Sequence, residues 1–161
     1  MYRKVLVPLD GSALAERAVP HAEEIARASG AEILLLQAVG MPMPVVPEAV
    51  LVADARILQE AMRSASEYLE RTASPLRKAG IAVRIRVDDR PPADAILHTA
   101  EMEDADLIVM STHGRSGISR LVMGSVAESV LHASRRTLML VKPERSAVPE
   151  HRGDEWYLNV P

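Results

Sequence analysis

The chain has 161 residues, 48% apolar and 25% charged, with a net charge of -3. That length suits one domain with a substantial core, and the acidic balance argues against a general nucleic-acid binder. The absence of cysteine excludes a disulfide framework, a cysteine-bound zinc and thiol catalysis, and no apolar run approaches the roughly 18 residues that span a bilayer.

Met1-Tyr2-Arg3-Lys4 leads straight into Val5-Leu6-Val7 without the shape of a secretory leader, so a cytoplasmic location is expected. With no Phe, one Trp and three Tyr, the core must be built from Leu, Ile, Val, Ala and Met. Val5-Leu6-Val7 reads as a short strand buried on both faces. Residues 12–29 follow as a helix with Leu14, Ala18, Ala22, Ile25 and Ala26 on one stripe. Ser12 suits its N-cap and Gly30 its C-terminal stop, while Pro20 predicts a kink or a broken hydrogen bond. Ile33-Leu34-Leu35-Leu36 is the second buried strand.

Residues 40–53, rich in Met, Pro and Val, read as a packed surface loop, with a lid or a partner-binding patch as alternatives. Residues 54–79 carry Leu58, Ala61, Met62, Ala65, Leu69, Thr72 and Leu76 at helical spacing and stop at Gly80. Ile81-Ala82-Val83-Arg84-Ile85-Arg86-Val87 ends in alternating apolar and charged residues, the mark of an edge strand with one wet face. A helix over 92–103, with prolines in its first turn, points Ile96 and Ala100 inward. Leu107-Ile108-Val109-Met110 and Leu138-Met139-Leu140-Val141 are two more buried strands, separated by a helix over 125–134. Strand and helix alternating to the end predict a parallel α/β sheet with right-handed crossovers. One domain over 1–143 and a polar tail over 144–161 are expected.

Two segments carry chemistry. Pro8-Leu9-Asp10-Gly11-Ser12 places Asp10 at the carboxyl end of the first strand, where ligands of open α/β sheets bind; the alternative is that Asp10 and Ser12 simply cap the next helix. The second segment runs from Ser111 to Glu128. There a buried strand ends, a loop with Gly114 and Gly117 follows, and Gly124-Ser125 opens a helix. Glycines let backbone approach a ligand closely, and a helix N-terminus favours an anion. A phosphate fits this loop, with Arg115 able to pair with its oxygens and His113 at its border. Ser125-Val126-Ala127-Glu128 also fits a capping box, which accounts for Ser125 without any ligand.

Other signatures are missing. The five histidines have no metal spacing, Ser116 and Ser119 lack a paired base, and there is no G-x-S-x-G elbow. Neither the Walker-type phosphate loop nor the G-x-G-x-x-G dinucleotide fingerprint occurs.

Residues 2–142 resemble the universal stress protein family. The resemblance rests on Val5 to Ser12, on Ile33-Leu34-Leu35-Leu36-Gln37-Ala38, on Ala105 to Met110, and on the Ser111–Ser125 loop. ATP-binding members carry Gly, two residues, Gly, nine residues, Gly, then Ser or Thr. Gly114, Gly124 and Ser125 match, and Ser111 stands where the first glycine would be. Where members have His-Val after the second strand, this chain has Gln37-Ala38.

The resemblance implies a Rossmann-like five-stranded parallel sheet of order 3-2-1-4-5, with helices on both faces, akin to the adenine nucleotide alpha hydrolases. It implies ATP or AMP, with Mg2+ carried on the phosphates, at the switch between strands 1 and 4. Asp10 would hold the ribose; Pro8, Leu9 and Ala38 would line the adenine, with Met110 filling space beside it. Ser111, Gly114, Gly124, Ser125 and the N–H of Val126 would cradle the phosphates. It also implies a homodimer paired through the apolar last strand, Leu138 to Val141, whose uncovered edge invites a partner. The expected function is a stress-response regulator that binds an adenine nucleotide and an unidentified protein partner, but neither nucleic acid nor membrane. A slow ATPase and a dimeric interaction module that binds no nucleotide are the alternatives.

Overall fold

The apolar runs become the strands of one parallel sheet because only strands covered on both faces can bury every side chain of such a run. The computed structural model describes residues 1–40, 51–112 and 123–142. The strands are β1 (Lys4–Leu9), β2 (Glu32–Ala38), β3 (Val83–Asp88), β4 (Leu107–Ser111) and β5 (Thr137–Val141), in the order β3-β2-β1-β4-β5. All four neighbouring pairs are parallel. The chain therefore winds outward in both directions from β1 and β4, and a crevice opens beyond their carboxyl ends.

The helices are α1 (Ala13–Glu16), α2 (Ala18–Ser29), α3 (Leu51–Lys78), α4 (Pro92–Met102) and α5 (Ser125–Ala133). Side-chain alternation sorts the core into two layers. Val5, Val7, Leu9, Ile33, Leu35 and Leu107 pack with Ala22 of α2 and Leu69 of α3. Leu6, Leu34, Leu36, Ile108 and Met110 pack with Ile96 of α4 and Val130 of α5. Burying a side chain such as Leu34 contributes about 1.5–3 kcal/mol. A one-residue slip in register would exchange the two layers.

Several boundaries differ from the sequence expectation, three of them for a reason or by an amount that matters here. The first helix splits at Arg17. Pro20 explains this: as the third residue of α2, its missing N–H falls among those that any helix start leaves unpaired. The long helix starts at Leu51, so the end of the expected 40–53 loop is helical, and residues 41–50 lie outside the described residues. The edge strand begins at Val83 rather than Ile81. The expected tail lies outside the described residues as well. Ser12 and Gly30 behave as expected: Ser12 Oγ accepts the Ala15 N–H at 3.1 Å, and Gly30 closes α2 with φ 73 and its N–H on Ala26 O at 2.8 Å.

The amino end of the sheet, opposite the crevice, is tied electrostatically. Asp106 accepts the backbone N–H groups of Arg3 at 2.7 Å and Lys4 at 2.9 Å, which hold its carboxyl below the usual range. Glu103 is lowered likewise, first by its hydrogen bond from Arg84 and then by that from Lys4. Among the described residues no helix is long and apolar enough to cross a membrane.

Candidate functional site

Four chain segments meet beyond the carboxyl ends of β1, β2 and β4. β1 exits through Asp10-Gly11-Ser12. Gly11 has φ 82, a left-handed conformation that glycine adopts without strain. The turn folds Asp10 Oδ1 back to accept the Ser12 N–H at 2.9 Å and the Ser12 hydroxyl at 2.6 Å. Ser12, not Asp10, then caps α1. Asp10 is left half-buried, its carboxylate oriented at the strand end.

The β4 exit is equally fixed. Met110, Ser111 and Thr112 are buried. The Thr112 N–H donates to Val141 O at 3.0 Å, and its carbonyl accepts the Gly124 N–H at 2.8 Å. That second bond brings the start of α5 back to the end of β4. Gly124 is the N-cap residue of α5, with extended backbone and no side-chain cap. Ser125 is therefore the first helical residue, one place too late for the capping-box role its sequence suggested. Among the described residues no side chain caps the first turn of α5, whose N–H groups carry the positive end of the helix dipole.

β2 contributes Gln37, Ala38, Val39 and Gly40. The Val39 N–H donates to Asp88 O at 2.9 Å, and a Cβ on Gly40 would collide with the backbone of Asp89 and Arg90. Glycine is needed there by close approach.

The fourth wall is α3, with Ala61, Ser64, Ala65, Tyr68 and Arg71. The Tyr68 hydroxyl donates to Glu16 Oε1 at 3.0 Å. Burial first, then that hydrogen bond and the charge of Glu16, push its pKa up, so Tyr68 stays a neutral donor.

These walls enclose a cavity of about 810 Å³, within the size range of small-molecule sites. Its lining gathers Pro8, Leu9, Asp10, Ala38, Met110, Ser111, Gly124, Ser125 and Val126 from the sequence-derived candidates. His113, Gly114 and Arg115, with Gly117, lie outside the described residues. The sequence reading passed over Ser64, Tyr68 and Arg71. The small-residue stripe Ala61-Ala65 was visible as helical spacing, and Ser64, Tyr68 and Arg71 flank it at positions three and four apart. Among the described residues the lining carries a single carboxylate, Asp10, and a single guanidinium, Arg71. The cavity is thus apolar between β1, β2 and β4, acidic at Asp10, and electropositive at the helix start. That combination suits a flat apolar group joined to a hydroxylated and anionic one.

The universal stress protein family model matches residues 1–142. Universal stress protein MJ0531 of Methanocaldococcus jannaschii is 31% identical over 145 residues, covering 88% of this chain and 83% of that protein. The solved structure of hypothetical protein MJ0577 superposes with a TM-score of 0.76 at 27% identity, covering 91% of this chain and 99% of that one. A universal stress protein solved in complex with cAMP gives a TM-score of 0.65 at 27% identity, covering 87% and 97%. The chain belongs to the universal stress protein family.

Proposed function

We propose that the protein is an adenine-nucleotide receptor that uses occupancy of its cavity to regulate a partner. One observation carries the reading: the uncapped N-terminus of α5, the carboxylate of Asp10 and the apolar pair Ala38 and Met110 all line one cavity. A helix start binds phosphate through backbone N–H groups and dipole. A carboxylate at the end of a parallel strand suits ribose hydroxyls. Apolar walls on either side suit a base. The family relative in complex with cAMP supports the same class of ligand.

ATP or AMP is the expected nucleotide, with Mg2+ carried by the phosphates. Among the described residues no group of three or more His, Cys, Asp or Glu is placed to hold a metal ion. Ser111 sits buried in the lining and leaves the cavity its volume, so a serine in place of the first glycine is compatible with binding. Asp10 Oδ1 is engaged by Ser12, which favours a receptor over a hydrolase that needs a mobile base. A cytoplasmic location accords with a cysteine-free chain.

The proposal includes a homodimer through β5. That strand is an edge of the sheet, and Leu138, Met139 and Leu140 are only half-buried in the single chain. An apolar edge of this kind is stabilised by pairing with a second copy.

A thermal melt with and without ATP tests the receptor. Ligand bound only by the folded state raises the melting temperature by mass action, contributing about 2.7 kcal/mol at a hundredfold excess over Kd. An unchanged melt at millimolar ATP would leave the interaction-module reading in its place.

A further inference from the structure

We infer that Gln37 reads the edge of the bound base: its side-chain amide accepts from the N6 amino group of an adenine and donates to the adjacent N7. The inference rests on the nucleotide reading above and adds to it the residue that selects the base.

The observation is a polar group in the wrong place for packing alone. Ile33, Leu35 and Gln37 share one face of β2, and the first two are fully buried in the core beside α2 and α3. Gln37 is in register with Leu9 on β1 and Val87 on β3, neither of which offers a polar side chain. Its Oε1 is buried and has no hydrogen-bond partner among the described residues. A buried acceptor left without a donor is destabilising, and such groups in native proteins call for an explanation. Leucine would fill the position without that cost. Yet Gln37 stands in the cavity lining beside Leu9, Asp10 and Ala38, where a base would arrive between the ends of β1 and β2.

The chemistry of the amide then selects the base. A glutamine presents one acceptor and one donor side by side, the complement of N6–H and N7 on adenine. Guanine presents two acceptors, O6 and N7, on the same edge. It would leave Oε1 facing a lone pair and still without a donor. Because Oε1 is buried, presenting both ends of the amide to the base takes a change of side-chain rotamer on binding.

Calorimetric titration of wild type, Gln37→Met and Gln37→Glu with ATP, GTP and 7-deaza-ATP tests this. Met keeps the shape of the side chain and removes both polar atoms; Glu keeps an acceptor and removes the donor. We expect wild type to bind ATP about tenfold or more tighter than GTP and 7-deaza-ATP. Gln37→Met should lose about tenfold for ATP and bind all three alike, while its ligand-free melting temperature is no lower than that of wild type. Gln37→Glu should lose ATP affinity as well. A Gln37→Met protein that keeps both the ATP affinity and the preference over GTP overturns the inference alone, the amide then being served by water. Wild-type protein that binds none of the three overturns the nucleotide reading and this inference with it.

Discussion

The backbone N–H of Gly124 donates to the carbonyl of Thr112 at 2.8 Å. This bond pins the start of α5 to the end of β4 at the cavity, and among the described residues no side chain caps the helix there. Gly124 has φ -62 and ψ 144, a conformation open to any residue. Aspartate there would supply the missing N-cap, worth about 1 kcal/mol. It would also put a carboxylate where a phosphate must sit. Gly124→Asp is therefore expected to melt no lower than wild type and to lose ATP affinity by about tenfold or more. Calorimetry of the variant checks both; retained affinity would mean that phosphate does not bind at this helix.

Gly40 is held against the backbone of Asp89 and Arg90. Gly40→Ala should cost about 2 kcal/mol, because backbone cannot yield to a methyl group as a flexible side chain can. Gly30→Ala makes a useful contrast: its added Cβ meets open space, and only the left-handed φ of 73 opposes it. That change should cost about 1 kcal/mol. Urea unfolding of both variants measures the difference. A Gly40→Ala protein as stable as wild type would contradict the close packing at the exit of β2.

Stability should fall on acidification, and Asp106 should contribute to the fall. Its folded pKa lies below the ordinary value because the Arg3 and Lys4 N–H groups favour the charged form. The stabilisation is thus complete above the unfolded pKa and is lost as pH drops through the folded one, below about pH 4. Glu103, lowered by Arg84 and Lys4, adds to the same limb. Asp106→Asn keeps a neutral acceptor and should be about 1 kcal/mol less stable at neutral pH. The gap from wild type should narrow as pH falls below the ordinary aspartate value of about 4. Denaturant titrations across that range test it; a gap that stays constant would assign the effect to packing.

The dimer proposal predicts which backbone groups of β5 matter. Val141 O accepts from Thr112 on the β4 side. Because successive residues of a strand face opposite neighbours, the N–H of Leu140 faces the free edge. Leu140→Pro removes that donor without touching the β4–β5 ladder. Sedimentation of wild type at micromolar concentration should give a dimer, and the variant a folded monomer, less stable than wild type because Leu140 also packs against the core layer of α4 and α5. A monomeric wild type, or a dimeric variant, would rule out pairing through this edge.

Much of the fold was legible because short aliphatic runs such as Ile33-Leu34-Leu35-Leu36 have one stable placement, a strand covered on both faces. Arg84 and Arg86 marked β3 as an edge before any topology was known, since charges on alternate residues need water on one face. Asp10, Ser111 and Gly124, which line the cavity, were legible as candidates because strand ends and helix starts are where parallel sheets bind anions. The contributions of Tyr68 and Arg71 were not, because they depend on how a long helix is rotated over the sheet ends. Spacing gives a stripe but not the direction in which it points. Ser125 misled for a related reason: the capping-box pattern fits, but Gly124 with its extended backbone takes the cap position and shifts the helix start by one residue. The missing donor at Gln37 Oε1 has no sequence signature, since its neighbours Leu9 and Val87 are distant in the chain.

The central claim is that this cavity receives an adenine nucleotide, and equilibrium dialysis of the full chain against ATP and AMP tests it most directly. Saturable retention of one nucleotide per chain is expected, weakened about tenfold or more in Gly124→Asp. Free nucleotide distributing equally across the membrane at millimolar concentration would contradict it.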